Sequence, residues 1–99
     1  MKTTYEDQQS VCTRRVVLDV LKTREPAIYD LAKRLATTSG ITRVNISLAE
    51  IDQSTESVKI IIEGTDIKIE LVRRYLEELG AAIHSIDEFD VVRTPRKST

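Results

Sequence analysis

The chain has 99 residues, 40% hydrophobic and 31% charged, with a net charge of −1. That allows one domain with a core, and a pI near 5.8 gives no global drive toward nucleic acid or an anionic membrane. The chain has no apolar stretch near the roughly eighteen residues of a membrane span, no apolar run in its opening MKTTYEDQQS, and a single cysteine, Cys12. It therefore reads as cytoplasmic, without membrane or nucleic-acid partner and without an internal disulfide.

Residues 1–12 are polar and aperiodic and read as a flexible N-terminal tail. Residues 13–92 are expected to be the single domain and 93–99 a basic tail. Arg15 to Leu21 is rich in β-branched residues and has strand length, with Val16, Leu18 and Val20 on one face. Pro26 sits where a helix would begin, because its missing N–H costs nothing there. Ile28, Leu31, Ala32 and Leu35 follow at helical spacing, and Gly40 is expected to stop that helix in the left-handed region.

From Ile41 the period becomes two. Val44, Ile46 and Leu48 alternate with polar residues, and after a short polar turn so do Val58, Ile60 and Ile62. The two strands form a hairpin whose opposed residues share parity, with Ile46 expected opposite Ile62 and Leu48 opposite Ile60. A one-residue slip would turn every buried isoleucine to water. Asp66 is expected to cap a second helix carrying Ile69, Val72, Leu76 and Leu79, with Glu70 and Glu78 flanking Arg74 at four-residue spacing. Gly80 closes it, and Ala82 to Val92 makes a final strand.

The order is βαββαβ. Right-handed crossovers put both helices on one face of a four-stranded antiparallel sheet in the order 4-1-3-2, an α+β ferredoxin-like plait. Five runs, VVLDVLK at 16–22, EPAIYDLA at 25–32, VNISLAEID at 44–52, ESVKIIIEG at 56–64 and IHSIDE at 83–88, resemble the archaeal domain-of-unknown-function family 211. The resemblance covers roughly residues 14–90. It implies an uncharacterised archaeal protein with this plait that forms homo-oligomers, and it implies no reaction.

The fold hosts many activities, so each must be weighed on residues. RNA-recognition plaits stack bases on central-strand aromatics, and RRVVLDV and VKIIIEG have none. An acylphosphatase-like phosphate cradle needs converging backbone N–H groups, and Lys22-Thr23-Arg24-Glu25-Pro26 has no glycine and ends in proline. Copper-chaperone plaits need a cysteine pair in that loop, which is missing. Pro26-Ala27, Gly40 and Asn45-Ile46 look like the pattern of ligand-binding ACT-type plaits, with Ala27 replacing the glycine that would admit a ligand. That resemblance makes Asn45 a ligand-binding candidate, and Arg24, in the loop after the first strand, is the other.

The carboxylates read first as cross-strand partners. The antiparallel order makes Asp19 a neighbour of Lys59 and His84, and Arg15 a neighbour of Glu63 and Glu88. If a metal is bound, the oxygen donors favour a hard divalent cation, calcium or magnesium, near Asp52 and Glu56 at the hairpin tip or Asp87 and Glu88 on the last strand. No other cofactor is indicated. Tyr29 and Tyr75 read as packing residues, and no nucleophile has a base at a defined spacing, so no catalytic residue is assigned. The sheet face away from the helices would carry Val17, Leu21, Ala49, Ile51 and Ile61, too apolar for water, and is expected to be an oligomer interface, with another subunit covering part of it or pairing with an edge strand. The expected function is that of a non-enzymatic homo-oligomeric binding or assembly module, regulated by a small molecule or metal. The alternative is a small metal-dependent enzyme using the clustered carboxylates.

Overall fold

The computed structural model describes residues 9–95. Its elements are β1 (Gln9–Thr23), α1 (Ile28–Ala36), β2 (Ile41–Ile51), β3 (Thr55–Gly64), α2 (Ile69–Glu78) and β4 (Ala81–Pro95). The sheet order is β2-β3-β1-β4 with every neighbouring pair antiparallel, the order expected from the sequence. Alternation on the two central strands decides which face is dry. Val16, Leu18 and Val20 of β1 and Val58, Ile60 and Ile62 of β3 are fully buried, in one cluster with Leu31 and Leu35 of α1 and Val72 and Leu76 of α2. Both helices therefore lie over one face of the sheet.

The strands run longer than the periodicity suggests. Residues 9–12, expected in the tail, belong to β1, and residues 93–95 belong to β4. Gln9 to Thr13 pair with Pro95 to Val91, while β3 reaches only to Arg15 on the other side of β1. A two-stranded ribbon thus runs on beyond the four-stranded sheet. The polar composition of this stretch hid the pairing, because a ribbon needs no buried face. The remaining expected tail positions, 1–8 and 96–99, lie outside the described residues.

The hairpin parity is as expected, but its register is two residues away from the expected one. Ile46 lies opposite Ile60, Leu48 opposite Val58 and Val44 opposite Ile62. Parity alone leaves every even shift open, and the turn chooses among them. Here Asp52 N–H donates to Thr55 O at 2.9 Å and closes a tight connection. A bulge at Ala49 then pairs Glu50 with Ser57 and Ile51 with Glu56. Beyond that bulge the two faces exchange parity. On β4, His84 and Asp87 are the extra residues where the register with β1 shifts.

The helix ends also differ from expectation. Ala27 is the N-cap of α1, so Pro26 lies just before the cap rather than inside the first turn. Lys68, not Asp66, occupies the N-cap of α2 and makes no side-chain cap bond. On α2 the ion pair is Glu70 with Arg73, at 3.4 Å, one residue short of the expected spacing. Gly80 directly follows the C-cap Leu79 with φ of 82°, a left-handed helix stop. Gly40 has φ of 86° but sits three residues beyond the C-cap Thr37, in the turn entering β2. Its carbonyl accepts the N–H groups of Thr65 (2.9 Å) and Asp66 (3.3 Å), and an added Cβ would collide with the Asp66 carbonyl. A Cβ on Gly80 would meet only the Thr23 hydroxyl, at 3.3 Å. Both positions carry the left-handed penalty of about 1–2 kcal/mol for an L side chain. Gly40→Ala should therefore lose more stability in urea titration than Gly80→Ala. Equal losses would mean that the close approach to Asp66 costs nothing.

Candidate functional site

The sheet face away from the helices gathers most of the charged strand residues. Arg15 is its centre, because β1 has neighbours on both sides. Its Nη1 donates to Glu63 Oε2 at 2.9 Å and its Nε to Glu88 Oε2 at 2.8 Å. Glu88 first, and then Glu63, raise the already high pKa of this guanidinium, so the centre of the row remains a cation. Arg43 on β2 reaches Glu63 at 3.8 Å, and Asp90 on β4 lies opposite Arg15. One row therefore crosses the whole sheet as Arg43, Glu63, Arg15 and Asp90, alternating in sign.

A second row holds Lys59 and Asp19 as direct partners, with His84 Nδ1 3.5 Å from Asp19 Oδ2. The pairs of Arg15 with Glu63 and Glu88 and of Asp19 with Lys59 and His84 are those expected from the antiparallel order. Between Asp19 and Glu50 an open hollow is lined also by Leu21, Ser57 and His84. Glu50 joins it because the bulge at Ala49 turns it to this face. Among the described residues no three His, Cys, Asp or Glu side chains are placed to hold a metal ion together.

The ligand candidates do not meet. Asn45 lies opposite Ile61 on the open face, whereas Arg24 Nη2 donates to the carbonyls of Asp52 and Gln53, both at 2.9 Å, and clamps the hairpin turn. The metal candidates are also dispersed. Asp52 Oδ1 accepts the Gln53 N–H, Glu56 pairs with Lys22, Asp87 accepts the Ser85 hydroxyl and Glu88 holds Arg15. Glu56 sits at the end of β3 opposite Lys22, whose β4 partner is Ala81. Asp87 and Glu88 lie further along β4.

Of the expected interface residues, Val17 is already buried at 5% exposure and Ile61 is half-buried, both beneath the charged rows. Leu21 is 44% exposed, and Ala49 is the exposed bulge residue. Ile51 belongs elsewhere. Opposite Glu56, it takes the parity of Lys22 and the helix side, because the bulge was invisible in the alternation. The large exposed apolar side chains lie mostly on that helix side, at its two margins. Leu48 (45%) and Ile51 (56%) flank α1, with Tyr29 sharing a groove with Leu48. On β4, Ile86, Phe89 and Val91 are 42–44% exposed and partner Leu18, Val16 and Thr13.

Two further groups escaped the periodicity. Lys22 continues the parity of Val16, Leu18 and Val20 and is buried at 1% exposure. Its ammonium donates to Thr23 O (2.8 Å), Arg24 O (3.4 Å) and Glu56 Oε1 (3.0 Å). That parity was the available signal. Asp66, freed from capping, accepts from Lys68 Nζ at 2.8 Å and from the Thr13 N–H at 3.4 Å, joining the α2 entry to β1. Lys68, helped by the Thr13 N–H, holds its carboxyl below the usual carboxylate range. A group with a lowered folded-state pKa stabilises the fold above its unfolded value, near 3.9 for aspartate, and loses that effect as pH falls through the folded value. The Asp66 carboxyl carbon should titrate by NMR below the ordinary range, and Lys68→Ala should move the midpoint upward. An unmoved midpoint would show that the lysine is not the cause.

No helix among the described residues is long and apolar enough to cross a membrane. The sequence is 46% identical over 90 residues to a protein of the archaeon Methanocaldococcus jannaschii titled "Uncharacterized protein MJ0319", covering 84% of this chain and 93% of that one. The profile of domain-of-unknown-function family 211, described as "Uncharacterized ArCR", matches residues 14–94, which take in both helices, β2, β3 and most of β1 and β4. With that match spanning nearly the whole folded unit, the chain belongs to family 211.

Proposed function

We propose that this chain is a non-enzymatic cytoplasmic module that works by associating with other copies of itself. The observation that carries this reading is the pair of apolar margins, with Leu48 and Ile51 beside α1 and Ile86, Phe89 and Val91 on β4, each more than 40% exposed. Single exposed apolar residues are ordinary, but clusters of them on unpaired edge strands invite a partner. The charged face is less suited to that role, since its ion pairs shield Val17 and much of Ile61. Regulation by a small molecule would engage Arg24 or the hollow beside Asp19 rather than Arg24 and Asn45 together. A metal-dependent enzyme would have to draw its carboxylates from both ends of the sheet. Light scattering behind gel filtration tests the reading. At tens of micromolar the particle should weigh a multiple of 11.2 kDa, and a single-chain mass would overturn self-association.

A further inference from the structure

We infer that copies of this chain join head to tail, the outer edge of β4 in one copy pairing antiparallel with the outer edge of β2 in the next. The inference rests on the self-association reading and names the surfaces involved. Strand direction permits the join without turning either copy over. β2 and β1 both run antiparallel to β3, and β4 runs antiparallel to β1, so β4 is antiparallel to β2. The sheet would simply continue, with the helices of both copies on the same side.

Charge then selects this join over the symmetric ones. The row across the open face reads positive at Arg43, negative at Glu63, positive at Arg15 and negative at Asp90. Setting the next copy's β2 beside β4 brings Arg43 after Asp90, and the alternation continues across the boundary. Arg43 is 69% exposed and only 3.8 Å from its one carboxylate, so it has donors to spare. Pairing two β4 edges would instead set Asp87, Glu88 and Asp90 of one copy near the same acids of the other, which is costly. Pairing two β2 edges would leave the apolar strip of β4 in water.

The apolar margins agree. Ile86 and Phe89 of β4 and Leu48 of β2 all lie on the helix side of their edges, as their partners Leu18, Val16 and Val58 show. The join places the two strips against each other under α2 of one copy and α1 of the next. Each copy then offers one edge and receives another, so the association propagates until it closes on itself.

The test uses two exposed substitutions, Arg43→Asp and Asp90→Lys, in the full chain, with circular dichroism to confirm the fold. Arg43→Asp makes both edges negative at this row, and Asp90→Lys makes both positive. Each variant alone should fall toward the single-chain mass at tens of micromolar. An equimolar mixture should recover the assembly, because every boundary between unlike variants is again of opposite sign. Variants that keep the wild-type mass, or dissociated variants that do not recover on mixing, would overturn the head-to-tail join while leaving self-association standing. A wild-type chain that is itself monomeric would overturn both.

Discussion

Replacing Glu56 with alanine is expected to cost about 3–5 kcal/mol of folding stability, measured by urea denaturation, because it leaves a buried ammonium without its counter-charge. Lys22 is 1% exposed, and its three protons go to two backbone carbonyls and to Glu56. The carbonyls satisfy hydrogen bonds but do not cancel the charge. Replacing both members, Lys22→Met with Glu56→Leu, should recover much of the loss, since an apolar pair of similar volume is often neutral or better at such a place. The difference between the double variant and the sum of the singles isolates the coupling. A loss below about 1 kcal/mol for Glu56→Ala would mean that water reaches the ammonium.

Two adjacent isoleucines give the second large effect. Ile60 is fully buried on the helix side of a central strand, between Leu18 and Ile46. Ile61 is half-buried on the opposite face, between Val17 and Asn45. Ile60→Ala should cost about 3–4 kcal/mol through lost transfer energy and the cavity left behind, and Ile61→Ala clearly less. The comparison holds propensity and chain position nearly constant, so it isolates the face. A larger loss at position 61 would reverse the sheet's inside and outside.

Parity made this fold readable, and its interruptions limited the reading. The central strands keep strict alternation from Val16 to Val20 and from Val58 to Ile62, so their buried faces and their partners Arg15–Glu63 and Asp19–Lys59 followed from residue types. Bulges carry no residue signature in this chain. The one at Ala49 moved Ile51 off the open face and brought Glu50 onto it, and no count of apolar spacing could have shown either. The two-residue error in the hairpin has the same origin, because a period of two is blind to shifts of two. Lys22 is the opposite case. Its parity puts it on the buried face, a signal that its charge concealed, and Glu56 supplies the partner that holds it there.

The strand order has a consequence for how the chain is made. Among the described elements β1 is synthesised first, yet it pairs with β3 on one side and β4 on the other. Its nascent form presents Val16, Leu18 and Val20 with nothing to cover them, while α1, β2 and β3 can meet as soon as the hairpin is complete. Closing β1 against β4 joins Gln9 to Pro95, the most sequence-distant contact in the sheet, and such pairings are slow to form. Translation should therefore release a partly built sheet with an open central edge, and this interval is when chaperones have most to protect.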